Sequence, residues 1–153
     1  MPALELKVPP PVVTLLIAAA MWVIAMIGAP LEIPHFLRHV VAATIVLSGA
    51  CISLAGVISF RRARTTVNPL KPETTSSLVT AGIYRFTRNP MYVGLLFVLL
   101  GWAVFLSSAW ALLGPVAFVL YINRFQIAPE ERVLATLFAA SYAEYKARVR
   151  RWL

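Results

Sequence analysis

The sequence predicts an all-α integral membrane protein with about four transmembrane helices, the third and fourth a helical hairpin, and a cytoplasmic C-terminal amphipathic helix. Three observations carry that expectation. Of the 153 residues, 60% are A, V, I, L, M, F, W, Y or C, against roughly 45–50% in a soluble domain even with Gly counted. Charged residues make up only 13%, about half the usual share, and mean hydropathy is +0.80. The uncharged runs are long: eighteen residues from Val12 to Ala29, twenty-one from Val40 to Phe60 and thirty-two from Met91 to Ile122.

A span needs about 20 residues at ~1.5 Å rise each, so the first two runs each fit one helix, over residues 12–29 and 40–60. The first run is long for a signal-peptide core, and the residues before it carry one Lys beside one Glu. It therefore reads as a span rather than a cleaved leader. The third run would be roughly 48 Å long as one helix, well past a ~30 Å hydrocarbon core. It reads as two helices, 91–106 and 109–125, turning at Ser107-Ser108. Pro115 is tolerated in the first turns of the second. The whole chain, 1–153, is then one membrane domain with a central loop over 61–90 and a tail helix over 129–151.

Topology follows from charge. Fourteen Lys and Arg face six acids, all Glu, for a net charge of +8. With four spans, thirteen of the basic residues fall on the side of the termini and central loop, and Arg38 alone faces the other. The positive-inside rule puts both termini and the loop in the cytoplasm, and the short chain points to a prokaryotic inner membrane. The excess charge reads as topology, not as a nucleic-acid surface. Cys51 sits mid-span and reads as packing. His35 and His39, four apart, have no third ligand nearby, so no metal site is expected.

Chemistry must come from the cytoplasmic segments. Asn89-Pro90 is a helix start, with Asn as N-cap and Pro in the first turn. Its free N–H groups and positive dipole end lie beside Arg85 and Arg88, a corner suited to a carboxylate or phosphate. Tyr84 and Tyr92 add aromatic walls, and Gly94 lets a ligand or a neighbouring helix approach closely. In the tail, Pro129-Glu130-Glu131 opens a helix on which Leu134, Leu137, Phe138, Tyr142, Tyr145 and Val149 form one apolar stripe. Such a helix lies against the membrane or over the bundle. Glu130 and Glu131 are ordinary partners of a helix N-terminus. Beside the arginine-rich loop they also offer a site for an ammonium or a ribose, and the two corners together suit a zwitterion.

The string LVTAGIYRFTRNPMYVG, with EERVLATLFAASYAEYKARVRRWL some forty residues later, resembles the isoprenylcysteine carboxyl methyltransferase and phospholipid methyltransferase family of integral-membrane enzymes. The family pattern is roughly G-[IV]-Y-x3-R-[HN]-P-x-Y-x-G, then E-E-x2-L-x3-F-G-x2-Y-x2-Y-x3-V. The resemblance covers about half the chain and implies S-adenosylmethionine bound at the cytoplasmic helix ends. It implies that Leu78, Val79 and Tyr84 pack on the cofactor, that Arg88, Asn89, Pro90, Met91, Tyr92 and Gly94 form its binding turn, and that Glu130, with Glu131, is its acidic ligand. Arg124 lies near the family's substrate-side arginine, and Arg124 and Glu131 are the expected catalytic residues. Two positions depart from the pattern: Asn89 replaces a histidine found in many isoprenylcysteine enzymes, and Ala139 replaces the Gly after Phe138. Asn can cap and hydrogen-bond but not titrate, which tells against a role needing imidazole and against the isoprenylcysteine substrate in particular.

Methyl transfer from a sulfonium is an in-line displacement, so the protein chiefly positions the nucleophile and excludes water. The expected acceptor is lipophilic, a carboxylate or a phospholipid amine, reaching the site sideways from the membrane lipids. Two other readings stand beside this one: a nicotinamide-dependent membrane reductase of the sterol-reductase type, and a non-catalytic membrane module with the same fold.

Overall fold

The computed structural model of the protein describes residues 5–28, 30–63 and 76–153. Among them every regular element is helical: α1 (Pro10–Ile27), α2 (His35–Arg62), α3 (Pro90–Leu106), α4 (Leu113–Ile122) and α5 (Ala128–Arg148). Short 3-10 turns cover Gly82–Arg85 and Ala109–Leu112, and a π turn covers Asn123–Ile127. Within the central loop, residues 64–75, with the prolines at 69 and 72, lie outside the described residues, as does Ala29 at the end of the first run.

Three helical runs are long and apolar enough to cross a membrane: Pro10–Ile27, His35–Arg62 and the continuous Ala109–Arg148; Pro90–Leu106 is apolar but shorter. The last run has 40 residues, about 60 Å and so twice a ~30 Å hydrocarbon core. Its uncharged part ends before Arg124. Exposed Leu15, Leu16, Met26, Phe36 and Leu47 on α1 and α2 suit contact with lipid. Cys51 is exposed on α2 rather than packed.

Several boundaries differ from the sequence expectation. α2 starts at His35, behind Pro34, so His35, Arg38 and His39 belong to the helix instead of a loop. His39 Nδ1 lies 2.6 Å from the His35 carbonyl one turn back. More consequential, no break separates the fourth apolar run from the tail helix. Pro129 has no N–H and would normally end a helix by orphaning the carbonyl four residues back. Here the π turn shifts the ladder, with the Ala128 N–H donating to Asn123. The carbonyl four residues before Pro129 belongs to Phe125, and the Leu6 N–H donates to it at 3.1 Å.

The interruption comes later, at Ala139, whose φ of 37° and ψ of −112° are non-helical. The helix then ends at Arg148, not at residue 151, and Val149 turns extended. The apolar stripe loses Leu137, which is exposed. Leu134, Phe138, Tyr142, Tyr145 and Val149 stay together and close over Val79, Tyr84, Phe60 and Ile83.

The bundle is held by close helix contacts, since lipid supplies no hydrophobic drive between apolar helices and small residues let backbones approach. A Cβ on Gly94 would lie 1.9 Å from Ser53 Oγ and 2.5 Å from the Gly49 carbonyl, so α3 meets α2 backbone to backbone. Gly114 likewise leaves room for Met21 of α1. The main core is built from Met21, Leu99, Phe118, Ile122 and Ile127. Trp102 Nε1 donates to the Ala18 carbonyl at 3.0 Å, tying α3 to α1.

Candidate functional site

The N-terminus of α3 and the start of α5 meet at the arginine-rich end of the bundle. Tyr92, in the first turn of α3, donates its hydroxyl hydrogen to Glu130. Arg88 Nη1, just before α3, lies 3.0 Å from Glu131 Oε1 and donates to the Tyr142 hydroxyl at 3.2 Å. Glu131 also takes two N–H groups from Arg151, at 3.1 and 2.7 Å, and has Lys146 at 3.8 Å. Arg88 and Glu131 side chains are only 9% and 11% exposed, so Arg88 depends on Glu131 to offset its desolvation, while Glu131 is shared with Arg151 and Lys146.

Asn89 holds the N-cap position, but its side chain caps nothing. Its Nδ2 donates instead to the Arg151 carbonyl at 2.9 Å, so the first-turn N–H groups of Met91 and Tyr92 have no side-chain cap. Arg88 Nε is buried and lacks a partner among the described residues. A half-buried carboxylate, an uncapped helix N-terminus and an unpaired guanidinium N–H thus share one corner. That donor and acceptor set fits the carboxylate, ammonium and ribose groups of S-adenosylmethionine.

The electrostatics divide the titratable groups. Burial pushes the Glu130 carboxyl up from 4.5 to about 8; the Tyr92 hydrogen bond opposes this and neighbouring Glu131 adds to it. Burial likewise holds the Tyr84 and Tyr145 phenols well above their ordinary range. Both therefore stay protonated near neutrality rather than acting as bases. Tyr145 donates to the Tyr84 carbonyl at 2.7 Å.

The expected site residues thus fall into three groups. Arg88, Asn89, Tyr92, Glu130 and Glu131 converge on the corner. Leu78, Val79 and Tyr84 pack with Tyr142 in the apolar cluster beside it, and Tyr142 bridges the two through Arg88. The rest are engaged elsewhere. Gly94 and Met91 face α2, and Pro90 and Met91 lie against Gly56. The Met91 carbonyl accepts from Ser53 at 3.4 Å. Arg124 contacts Glu5 at 3.3 Å and overlies Phe125, so its contacts are with the N-terminal segment rather than with the Arg88–Glu131 cluster.

Sequence reasoning missed Thr87, Tyr142, Arg151 and Trp152 as parts of this region, and Glu5 as the partner of Arg124. Thr87 is 1% exposed and donates to the Arg151 carbonyl at 3.3 Å. Trp152 Nε1 donates to Asn123 in the π turn at 3.1 Å. Glu5 joins Arg124 and Arg132, the latter at 2.6 Å. The available signal was the terminal Arg-Arg-Trp, an aromatic among charges that reads equally as a membrane-surface tail.

Among known proteins, the family described as phospholipid methyltransferase matches residues 37–141. The chain is 30% identical to protein-S-isoprenylcysteine O-methyltransferase B of Arabidopsis thaliana over 109 residues, 69% of this chain and 54% of that one. It is 34% identical to a probable protein-S-isoprenylcysteine O-methyltransferase of Oryza sativa subsp. japonica over 112 residues, 71% of this chain and 57% of that one. An uncharacterized protein of Haemophilus influenzae is 49% identical over 63 residues, 41% of this chain and all of that one. The chain spans about half the length of the plant relatives. No solved structure matches it.

Proposed function

The chain belongs to the phospholipid methyltransferase family, and from that premise we propose that it is an S-adenosylmethionine-dependent methyltransferase acting on a lipophilic acceptor in a prokaryotic inner membrane. α1 to α4 are its spans, and α5, both termini and the active site are cytoplasmic. The observation that carries this reading is the junction of the two motif halves: Tyr92 on Glu130 and Arg88 on Glu131 join segments 38 and 43 residues apart in one corner. A reductase or a non-catalytic module needs no such pairing of a zwitterion-binding corner with an apolar bundle.

S-adenosylmethionine bound there supplies an electrophilic methyl group on a sulfonium. Glu130, once ionised, holds the ribose or ammonium end. The α3 N-terminus and Arg88 Nε hold the carboxylate end. The Val79–Tyr84–Tyr142–Tyr145 cluster covers the corner and excludes water. With the three clustered phenols protonated and no histidine nearby, the chain's part is positioning more than proton abstraction. An anionic acceptor suits that arrangement, because its charge and the sulfonium's cancel in the transition state. A lipophilic carboxylate is therefore the first acceptor class to test, and a phospholipid amine the second; isoprenylcysteine, named for the plant relatives, belongs in the first set although Asn89 stands where many isoprenylcysteine enzymes carry histidine.

The test is calorimetric titration of S-adenosylmethionine into detergent-purified protein, with Arg88→Ala and Glu130→Ala as comparisons. Micromolar binding that is lost in both variants supports the reading. A folded, monodisperse wild type that binds nothing overturns it.

A further inference from the structure

The segment after α5 does more than end a helix. The Arg88 N–H donates to the Arg150 carbonyl at 3.0 Å. Thr87 and Asn89 side chains both donate to the Arg151 carbonyl, at 3.3 and 2.9 Å. The Arg151 guanidinium grips Glu131 with two N–H groups, and Trp152 is pinned to Asn123. Residues 150–152 thus cross the approach to α3 and join Thr87-Arg88-Asn89, Glu131 and the π turn.

Resting on the cofactor reading above, we propose that Arg151 is a positioning residue of the donor site, latching residues 150–152 over the α3 N-terminus and setting how tightly the donor is held and how fast it leaves. Two contacts carry the proposal. The Arg151 carbonyl draws the Asn89 amide away from the helix, so Asn89 does not cap the N–H groups that face the corner. Its guanidinium fixes Glu131, and through the adjoining backbone fixes Glu130, in the orientation that meets Tyr92. A two-pronged arginine grip on a carboxylate is a geometric constraint that lysine cannot reproduce. A latch that touches binding residues from outside acts on affinity and release without itself contacting the reacting atoms.

The experiment measures S-adenosylmethionine affinity and release, by rapid displacement from the full-length protein in detergent, for wild type, Arg151→Lys, Arg151→Ala and a variant lacking residues 151–153. Arg148→Ala, an exposed residue whose ion-pair partner among the described residues is exposed Glu144 at 3.5 Å, is the charge-matched control. Thermal midpoints are recorded alongside. Loss of a charged two-point contact should make release about tenfold faster in Arg151→Ala, less so in Arg151→Lys, with Arg148→Ala like wild type. If the truncated form does not fold, the two point variants decide. Release at the wild-type rate in folded Arg151→Ala and Arg151→Lys, even with lowered midpoints, overturns the latch and leaves Arg151 a stabilising residue only. A wild type that does not bind the donor fails at the earlier step, and overturns the cofactor reading and the latch together.

Discussion

Tyr92 and Glu130, 38 residues apart, share a hydrogen bond that joins the first turn of α3 to the first turn of α5. Burial, opposed by this bond, sets the pH behaviour of the corner. In the free protein the Glu130 carboxyl is held up at about 8, chiefly by burial, and is largely protonated at pH 7. A group whose folded pKa lies above its unfolded value of 4.5 supports the fold fully below 4.5 and loses that support as pH rises through about 8. A cationic donor reverses the preference, because it binds the carboxylate. Binding near neutrality should therefore release a proton, and affinity should rise by up to about tenfold per pH unit until pH 8. Titrations from pH 6 to 9 in buffers of different ionisation heat check both points. Tyr92→Phe removes the bond that pulls this pKa down, so its profile should move to higher pH. A flat profile would mean that Glu130 does not meet the donor.

Glu131 has a different character from its neighbour. It neutralises Arg88, which is 9% exposed and has no other carboxylate against it among the described contacts. Removing one partner of a buried ion pair strands the other charge. Glu131→Gln should destabilise the protein by about 3 kcal/mol and weaken donor binding at the same time. Arg88→Met with Glu131→Leu should recover much of the stability, since paired apolar groups avoid the desolvation cost, but not the binding. Unfolding in denaturant and calorimetry together make the comparison. A Glu131→Gln protein with intact stability and donor affinity, but an abrupt fall in rate, would instead make Glu131 a catalytic base.

The helices were legible because lipid imposes a length: uncharged runs near 20 residues have few other uses, and Arg61 and Arg62 mark the end of α2 where cations favour the helix dipole. The meeting of Arg88 with the glutamates was legible through the two motif halves. What stayed hidden rests on backbone groups. The bonds from Leu6 to Phe125 and from Asn89 to the Arg151 carbonyl leave no residue signature, because any side chain could sit at the accepting position. Pro129 reads as a helix start when only neighbours in sequence are considered, and the π turn that absorbs it has no motif of its own. Arg124 is engaged by Glu5, far off in sequence, a pairing that no local pattern signals.

Gly94 tests the α2–α3 contact. An added Cβ would press on Ser53 Oγ, which can rotate, and on the Gly49 carbonyl at 2.5 Å, which cannot move without its helix. Gly94→Ala should therefore cost about 1–3 kcal/mol, and Ser53→Ala in the same chain should restore only part of it. Because α3 carries Tyr92 and the Arg88 corner, the shift should also weaken donor binding. Thermal unfolding and titration of the single and double variants measure the two effects. Full rescue by Ser53→Ala would show that the helices have room to spare at Gly49.

Ala139 tests the kink in α5. Its φ of 37° with ψ of −112° lies where a Cβ crowds the backbone and glycine alone is comfortable. Phe138 before the kink and Tyr142 and Tyr145 after it reach the same cluster over Tyr84, so the bend keeps these members of the apolar stripe together. The sequence departs here from a glycine in the family pattern, so the chain holds a bend while carrying a side chain that opposes it. Ala139→Gly should relieve that strain and stabilise the fold by about 1 kcal/mol. In an unkinked helix interior the same change would destabilise by a comparable amount. The sign of the change in thermal midpoint therefore decides the matter: a rise supports the kinked helix, and a fall means that α5 runs straight through Ala139.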